Sequence, residues 1–432
     1  MPGASGQSVH ERAVMTALTG LTALTPLFVV LMHRGLAPLI LTMGFIVVTR
    51  AEPWRKGVPH FFLRPDFKAP VICGAYAFLA LCVWIAASAL WSPLGEKWEL
   101  GINLFFPAAA GGAIIWEIAR RPAGQSARMA TVFAIAIAAS AALLLLEGVA
   151  GAPLRALTPP ADLSPERHKD FTALGRGVTA IAPAVFPAAA IALRRTGRRL
   201  AAAGIVAAAL AAALSLSISA NVFALSLGAA AALLALAQPK RTLAGLIWFA
   251  LAVLFVAPFA AAALPAEMLA ERFNGDAPAS WLQRLAVWKA AGAAAVDALP
   301  FGRGVDYARA WSAAGATVDL PGALARLPAM PTHPHNVFLQ IWLELGLPGV
   351  AAFAAFVYCG GRALMRVQLP RPVAAGAAGS IAAVAASLMV EASLWQVWRI
   401  SAMTLAAFGV SLSYFIYQNG VRLHSRKRNG VT

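Results

Sequence analysis

The stretch His333-Pro334-His335-Asn336-Val337-Phe338-Leu339-Gln340-Ile341-Trp342-Leu343-Glu344-Leu345-Gly346-Leu347-Pro348-Gly349 carries a polar loop into an apolar helix that contains a glutamate. A carboxylate in such a helix is costly in lipid and is tolerated where it faces a cavity or a partner helix. Glu344 stands nine residues beyond His335, about 900° of helical rotation, so it points to the opposite face and is expected to pair with another helix. Pro334 suits a first helical turn and sets the expected helix start at His335. A helix N-terminus disfavours imidazolium, which keeps that histidine neutral and able to accept a proton. Asn336 is placed to orient its ring or a substrate hydroxyl. Gly346, Gly349, Ala352 and Ala355 put a small residue at every third position, a spacing suited to close helix packing.

Composition places this helix in a membrane. Hydrophobic residues make up 60% of the 432 and charged residues only 12%, outside the range of soluble domains. At roughly 17–25 residues per span, helices are expected near 14–31, 35–49, 70–91, 102–119, 129–147, 177–193, 201–218, 219–237, 243–264, 335–358, 373–391 and 400–418. The fold class is therefore all-α and polytopic, with twelve transmembrane helices. Residues 1–264 hold helices 1–9 with a loop near 148–176, residues 265–334 form a large outer loop between helices 9 and 10, and residues 335–432 hold helices 10–12 and a basic tail.

Short loops rich in Lys and Arg remain in the cytoplasm. With both termini inside, the inner segments hold Arg12, the bases of 50–68, Arg120, Arg121, Arg128, the bases of 194–199, Lys240, Arg241, Arg362, Arg366, Arg371 and the tail bases, 22 of the 35 in the chain. The short outer loops near Arg34, Lys97 and Arg399 hold one base each. The net charge of +17 then reflects this bias and attraction to anionic lipid headgroups, and nucleic acid is not an implied partner. Residues 1–13 contain Arg12 as their one Lys or Arg and run into an apolar stretch without a cleavage site, so no cleavable signal is expected. Cys73 and Cys82, about 13 Å apart along one helix, are too distant for a disulfide.

Long loops on a rigid scaffold tend to carry function. The first outer loop ends in Glu166-Arg167-His168-Lys169-Asp170-Phe171-Thr172-Ala173-Leu174-Gly175-Arg176-Gly177, which sets Arg176 at the mouth of a span. It reads either as a snorkelling interfacial arginine or as a phosphate contact. The second loop contains Trp281, Arg284 and Trp288 on one face of an amphipathic helix. Tryptophans at an interface are ordinarily anchors; an arginine between two of them also suits a sugar or lipid ligand. Phe301-Gly302-Arg303-Gly304 is a Gly-flanked turn that allows close approach to an anion, or is simply a turn.

The large outer loop, Arg-x-x-x-Trp from Arg284 to Trp288, and His-Asn-x9-Gly-x-x-Gly from His335 to Gly349 resemble the superfamily of O-antigen ligases (WaaL type) and O-antigen polymerases (Wzy). The resemblance covers helix count, topology and the last third of the chain, and hardly touches the first 160 residues. It implies a GT-C-like, multi-pass enzyme of the bacterial inner membrane, with a periplasmic active site. It also implies an undecaprenyl diphosphate-linked glycan as donor and lipid A core as acceptor in lipopolysaccharide biosynthesis, with no cofactor.

Carried over by position, the family histidine falls on His335 and the loop arginine on Arg284. A further family arginine belongs in a Ser-x-Ser-Arg-like stretch, and here Ser217-Ile218-Ser219-Ala220-Asn221-Val222 lacks it; Arg176 is the expected substitute. Val350 also departs from the Gly, Thr or Tyr common in ligases. The implied reaction is one inverting displacement. His335 takes the acceptor hydroxyl proton, and Arg176, Arg284 and Arg303 are expected at the diphosphate, with Asn336 and Trp288 at the substrate. No Asp-x-Asp or metal-ligand spacing occurs in the outer loops, so a metal-independent enzyme is expected. A polymerase or a protein O-oligosaccharyltransferase of the same superfamily is the alternative. A carrier is disfavoured because no internal repeat is visible and so large an outer loop is foreign to that architecture.

Overall fold

The computed structural model describes residues 9–50, 70–95, 97–119, 121, 123–158, 168–273, 276, 278–317 and 328–428. Among them the chain is helical, apart from one isolated antiparallel bridge between Thr317 and Pro328. The helices are α1 (Val9–Ala23), α2 (Thr25–Leu31), α3 (Leu36–Arg50), α4 (Pro70–Ser88), α5 (Glu99–Ala119), α6 (Ala123–Ala150), α7 (His168–Thr196), α8 (Arg199–Ser215), α9 (Ser219–Ala237), α10 (Pro239–Ala262), α11 (Ala266–Arg272), α12 (Ala279–Asp297), α13 (Tyr307–Ala313), α14 (Val337–Arg366), α15 (Arg371–Val390) and α16 (Val397–Arg428). Arg55, Lys56, Arg64, Lys68, Arg120, Glu166 and Arg167, used above, lie outside the described residues.

Ten helical segments are long and apolar enough to cross a membrane: 11–31, 70–91, 99–119, 124–150, 170–196, 219–237, 239–262, 337–366, 371–390 and 397–418. The chain is a multi-pass membrane protein. The other two expected spans are helices too, α3 of 15 residues and α8 of 17, shorter than the rest. α8 nevertheless returns the chain over the height of α7. It begins three residues after the end of α7, and six residues beyond its own end Asn221 in α9 bonds the Gly175 carbonyl near the start of α7.

Small residues set the spacing of the bundle. α15 lies against α9 with Phe186 of α7 between them; a Cβ added at Gly228 or Gly379 would collide with its ring. Alanine and glycine along these helices thus allow close backbone approach where lipid supplies no hydrophobic driving force. One apolar core joins α1–α3, α5–α9, α15 and α16, and a second joins α4, α5, α10, α12–α14 and residues 392–394.

The described residues of the 265–334 loop are largely helical and docked on the bundle. α12 packs against α10 and α14, and residues 298–306 seat on a break in α14. Pro348 has no N–H to give the Glu344 carbonyl, and Gly304 supplies one instead at 2.9 Å. The Arg303 N–H meets the Leu343 carbonyl at 2.8 Å, and the Leu347 N–H meets that of Pro300 at 2.7 Å. Trp84 Nε1 donates to the Leu345 carbonyl at 2.8 Å. Gly346 makes the break, with φ 61° and ψ −160°, a region open essentially to glycine. Its role is this turn rather than a small-residue packing stripe, and the Gly302 and Gly304 backbones approach protein rather than an open anion cradle.

Gly346→Ala combines a forbidden backbone conformation with a Cβ that collides with Pro300 and Phe301. It is expected to destabilise the protein by at least about 1–3 kcal/mol, read as a lower midpoint in thermal unfolding of detergent-solubilised protein. An unchanged midpoint would refute the docked break.

Candidate active site

α14 starts at Val337, two residues later than the sequence suggests, because Asn336 caps it: its side chain accepts from the Leu339 N–H at 3.2 Å. Asn336 therefore serves the helix end. His335 lies ahead of the cap in the left-handed region, φ 53°, a strained conformation for a residue with a Cβ. Trp288 holds this turn from α12 through a 3.0 Å bond from its Nε1 to the Pro334 carbonyl. The His335 ring lies 4.3 Å from that of His333, and its buried Nδ1 has no hydrogen-bond partner. His333 Nε2 contacts the Glu391 carbonyl at 3.3 Å.

Glu391 follows the end of α15 and faces the start of α16. Its carboxylate pairs with Arg399 at 3.4 Å and lies 3.4 Å from Thr179 Oγ1. Arg399 is 5% exposed; it also bonds Ser387 Oγ at 2.8 Å and Gln396 and lies 4.7 Å over the Trp398 ring. Thr179 Oγ1 donates to Asn221 Oδ1 at 2.8 Å, and Asn221 Nδ2 donates to the Gly175 carbonyl at 2.7 Å. A narrow recess, with room for about 20 Å³ of water, opens here between α7, α9, α15 and α16. Thr179, Asn221, Ser387 and Arg399 form one tier of its wall, and Pro183, Ala224, Ala383 and Met403, one helical turn deeper, form an apolar tier.

Arg284 closes the group from the outer loop. It is half-buried, lies 5.2 Å over the Trp281 ring, and donates to the Ser280 carbonyl at 3.1 Å. Trp281 in turn donates to Ser219 Oγ at 2.9 Å, so the stretch that lacks an arginine still meets the loop helix. Burial pushes the Arg284 guanidinium below its ordinary value, while Glu391 acts against that. Burial, then the charge of Arg284, brings His335 down to about 4, opposed by hydrogen bonding and charge from Glu391. Burial, then His335, brings His333 down to about 3. Neutrality of these imidazoles thus comes from burial and neighbouring cations.

Arg176 sits within α7, two turns from its start, because the polar opening His168-Lys169-Asp170 is already helical. Gly175 and Gly177 pack against Ile218 and the Val29 carbonyl, so they are packing residues rather than flexible flanks. The charge of Arg176 acts on both Arg399 and His33. His33, buried with Nε2 unpartnered, stands 5.0 Å from the Trp398 ring. The structure thus gathers His335, Arg284 and Trp288 at one locus, with Arg176 within electrostatic reach of Arg399. It does not bring Arg303 there: that side chain is exposed on the turn docked at Leu343, about 9 Å along α14 from its start.

Glu391, Arg399, Thr179 and Asn221 were not anticipated. The available signal was an acid and a base at the two ends of the connector between the last two apolar helices. Among the described residues no group of three or more His, Cys, Asp or Glu could hold a metal ion.

Residues 188–354 match a family model described as O-antigen ligase. The match spans less than half of the chain. It includes Asn221, Arg284 and His335, and leaves out Arg176, Glu391 and Arg399. No curated protein matches the chain. The matched region is similar to the O-antigen ligase and polymerase superfamily, and the match supports a membrane enzyme of that class with lipid-linked glycans as the suggested substrates.

A base at about 4 stays unprotonated at neutral pH and is lost only as pH falls through that value. The pH profile of kcat/KM, which reports the free enzyme, is therefore expected to be level through pH 6.5 and to fall on the acid side near 4. An acid limb near 6.5 would contradict this setting of His335.

Proposed function

We propose that the protein is an inverting, metal-independent O-antigen ligase that moves a glycan from undecaprenyl diphosphate to a sugar hydroxyl of lipid A core. The observation that carries this is the cluster of Arg284, Arg399, Glu391 and His335 above an apolar-floored cavity in a membrane bundle. A diphosphate needs fixed cations, a lipid carrier needs an apolar recess, and an acceptor hydroxyl needs a base. Twelve spans in a GT-C-like arrangement, both termini cytoplasmic and the cluster periplasmic, complete the reading; the alternation of basic loops supports it.

His335 Nδ1 takes the acceptor proton as the hydroxyl oxygen attacks the anomeric carbon. The bond from that carbon to the diphosphate oxygen breaks, and the configuration inverts. Negative charge gathers on the leaving diphosphate, where Arg284, Arg176 and Arg399 stabilise it without reorganising. Arg399 is the charge sequence reading missed, because it lines the same cavity as Asn221 from another helix. Trp288 holds the base in place through Pro334, Asn336 through the helix cap, and Arg303 stands outside this group.

The test is purified protein with undecaprenyl diphosphate-linked glycan and rough lipopolysaccharide. Glycan on lipopolysaccharide supports the ligase, lengthening of the lipid-linked glycan would make it a polymerase, and no transfer would sink both. His335→Ala is expected to lose about 10²–10⁴-fold in rate with normal membrane insertion, and excess EDTA to leave the wild type active. Near wild-type turnover in His335→Ala removes it as the base.

Arg176→Ala separates anchor from ligand. As a diphosphate ligand it lowers turnover or donor affinity at unchanged thermal stability; unchanged turnover per folded molecule would leave the diphosphate to Arg284 and Arg399.

A further inference from the structure

Gln340 and Glu344 lie one turn apart on α14, and neither has exposed surface. The Glu344 carboxylate accepts four hydrogen bonds, all from neutral groups. The backbone N–H groups of Asp306 and Ala308 donate at 2.8 and 3.3 Å, Gln340 Nε2 at 3.2 Å and Trp395 Nε1 at 2.8 Å. Gln340 Oε1 accepts from the Leu394 N–H at 2.9 Å.

These bonds join three separate stretches of chain. Asp306 ends the docked turn that follows α12, the helix of Arg284, and Ala308 lies in the first turn of α13. Gln340 and Glu344 continue the helix that His335 precedes. Leu394 and Trp395 lie in the connector from Glu391 to Arg399. The three segments that supply the base, the loop arginine and the ion pair therefore meet on one buried turn, about 7–13 Å from the site along α14.

We propose that Gln340 and Glu344 are positioning residues that set the register of Glu391 and Arg399 against His335 and Arg284, and that Trp395 reads that register through its indole N–H. The role rests on the glycosyl-transfer reading above. No member of this clasp touches substrate. Its effect is on alignment, where displacement of reacting groups by about 1 Å can cost on the order of 10²-fold in rate. A carboxylate satisfied by four neutral donors fixes geometry.

The test uses the full-length protein in detergent or nanodiscs. Trp395→Phe keeps an aromatic ring and removes one donor to Glu344; Gln340→Leu keeps the side chain's approximate volume and removes its bonds to Leu394 and Glu344. Both are expected to lower kcat by about 10–100-fold while donor KM changes far less and the unfolding midpoint of Trp395→Phe stays at the wild-type value. Hydrogen exchange gives a readout independent of activity: the Leu394 amide should exchange faster in Gln340→Leu, with residues 279–297 unaffected. Wild-type kcat per folded molecule in both variants overturns the proposal, as does loss of activity matched by loss of folded protein in both. Unchanged exchange at Leu394 overturns the clasp itself. A wild type that transfers no glycan sinks the function of the preceding section instead, and the exchange measurement still reads the clasp.

Discussion

Backbone groups in a membrane bundle have no water to fall back on, so a broken helix must find other partners for its carbonyls and N–H groups. Pro348 and Gly346 break α14, and the turn 300–304 supplies what the break leaves open. Much else depends on this exchange. It fastens the outer loop to the membrane helices, brings α12 alongside α14, and so sets Arg284 near His335. An ordinary helix at this point would have left the loop with no backbone to seat on.

The electrostatics of the site follow from what surrounds it. Arg176, Arg284 and Arg399 contribute three positive charges, and Glu391 is the acid among them that makes direct contacts with Arg399. The histidines add no charge, since burial and the guanidiniums hold them neutral. In the proposed reaction, an excess of fixed cations beside an uncharged proton acceptor suits a diphosphate leaving group and a neutral nucleophile. Glu391 keeps Arg399 in place, and its carbonyl and charge keep both imidazoles near the cavity.

The helices were legible because each is a long apolar run, and an alanine-rich run still reads as apolar. Their ends were less so. His168-Lys169-Asp170 looked like loop, yet it is the first turn of α7, so Arg176 stands two turns into that helix. Pro334 looked like a first-turn residue, yet the cap is Asn336, a residue whose side chain can serve either a helix end or a ligand. His335 and Arg284 stood out through spacing within short windows. Glu391 and Arg399 did not, because an arginine between two spans resembles any interfacial base until the fold shows it 5% exposed and paired. The same holds for Thr179 and Asn221, which lie 42 positions apart and meet only across α7 and α9.

The docked turn also limits how the outer loop can move. Five hydrogen bonds from residues 300–308 converge on Leu343, Glu344 and Leu347, and separating that edge would expose their partners together in a place poor in water. The loop is therefore a flap sewn down along its later edge. Among the described residues its contacts with the membrane helices are sparser at its earlier edge, around α11, and that is the edge from which it can be lifted at least cost in backbone hydrogen bonds.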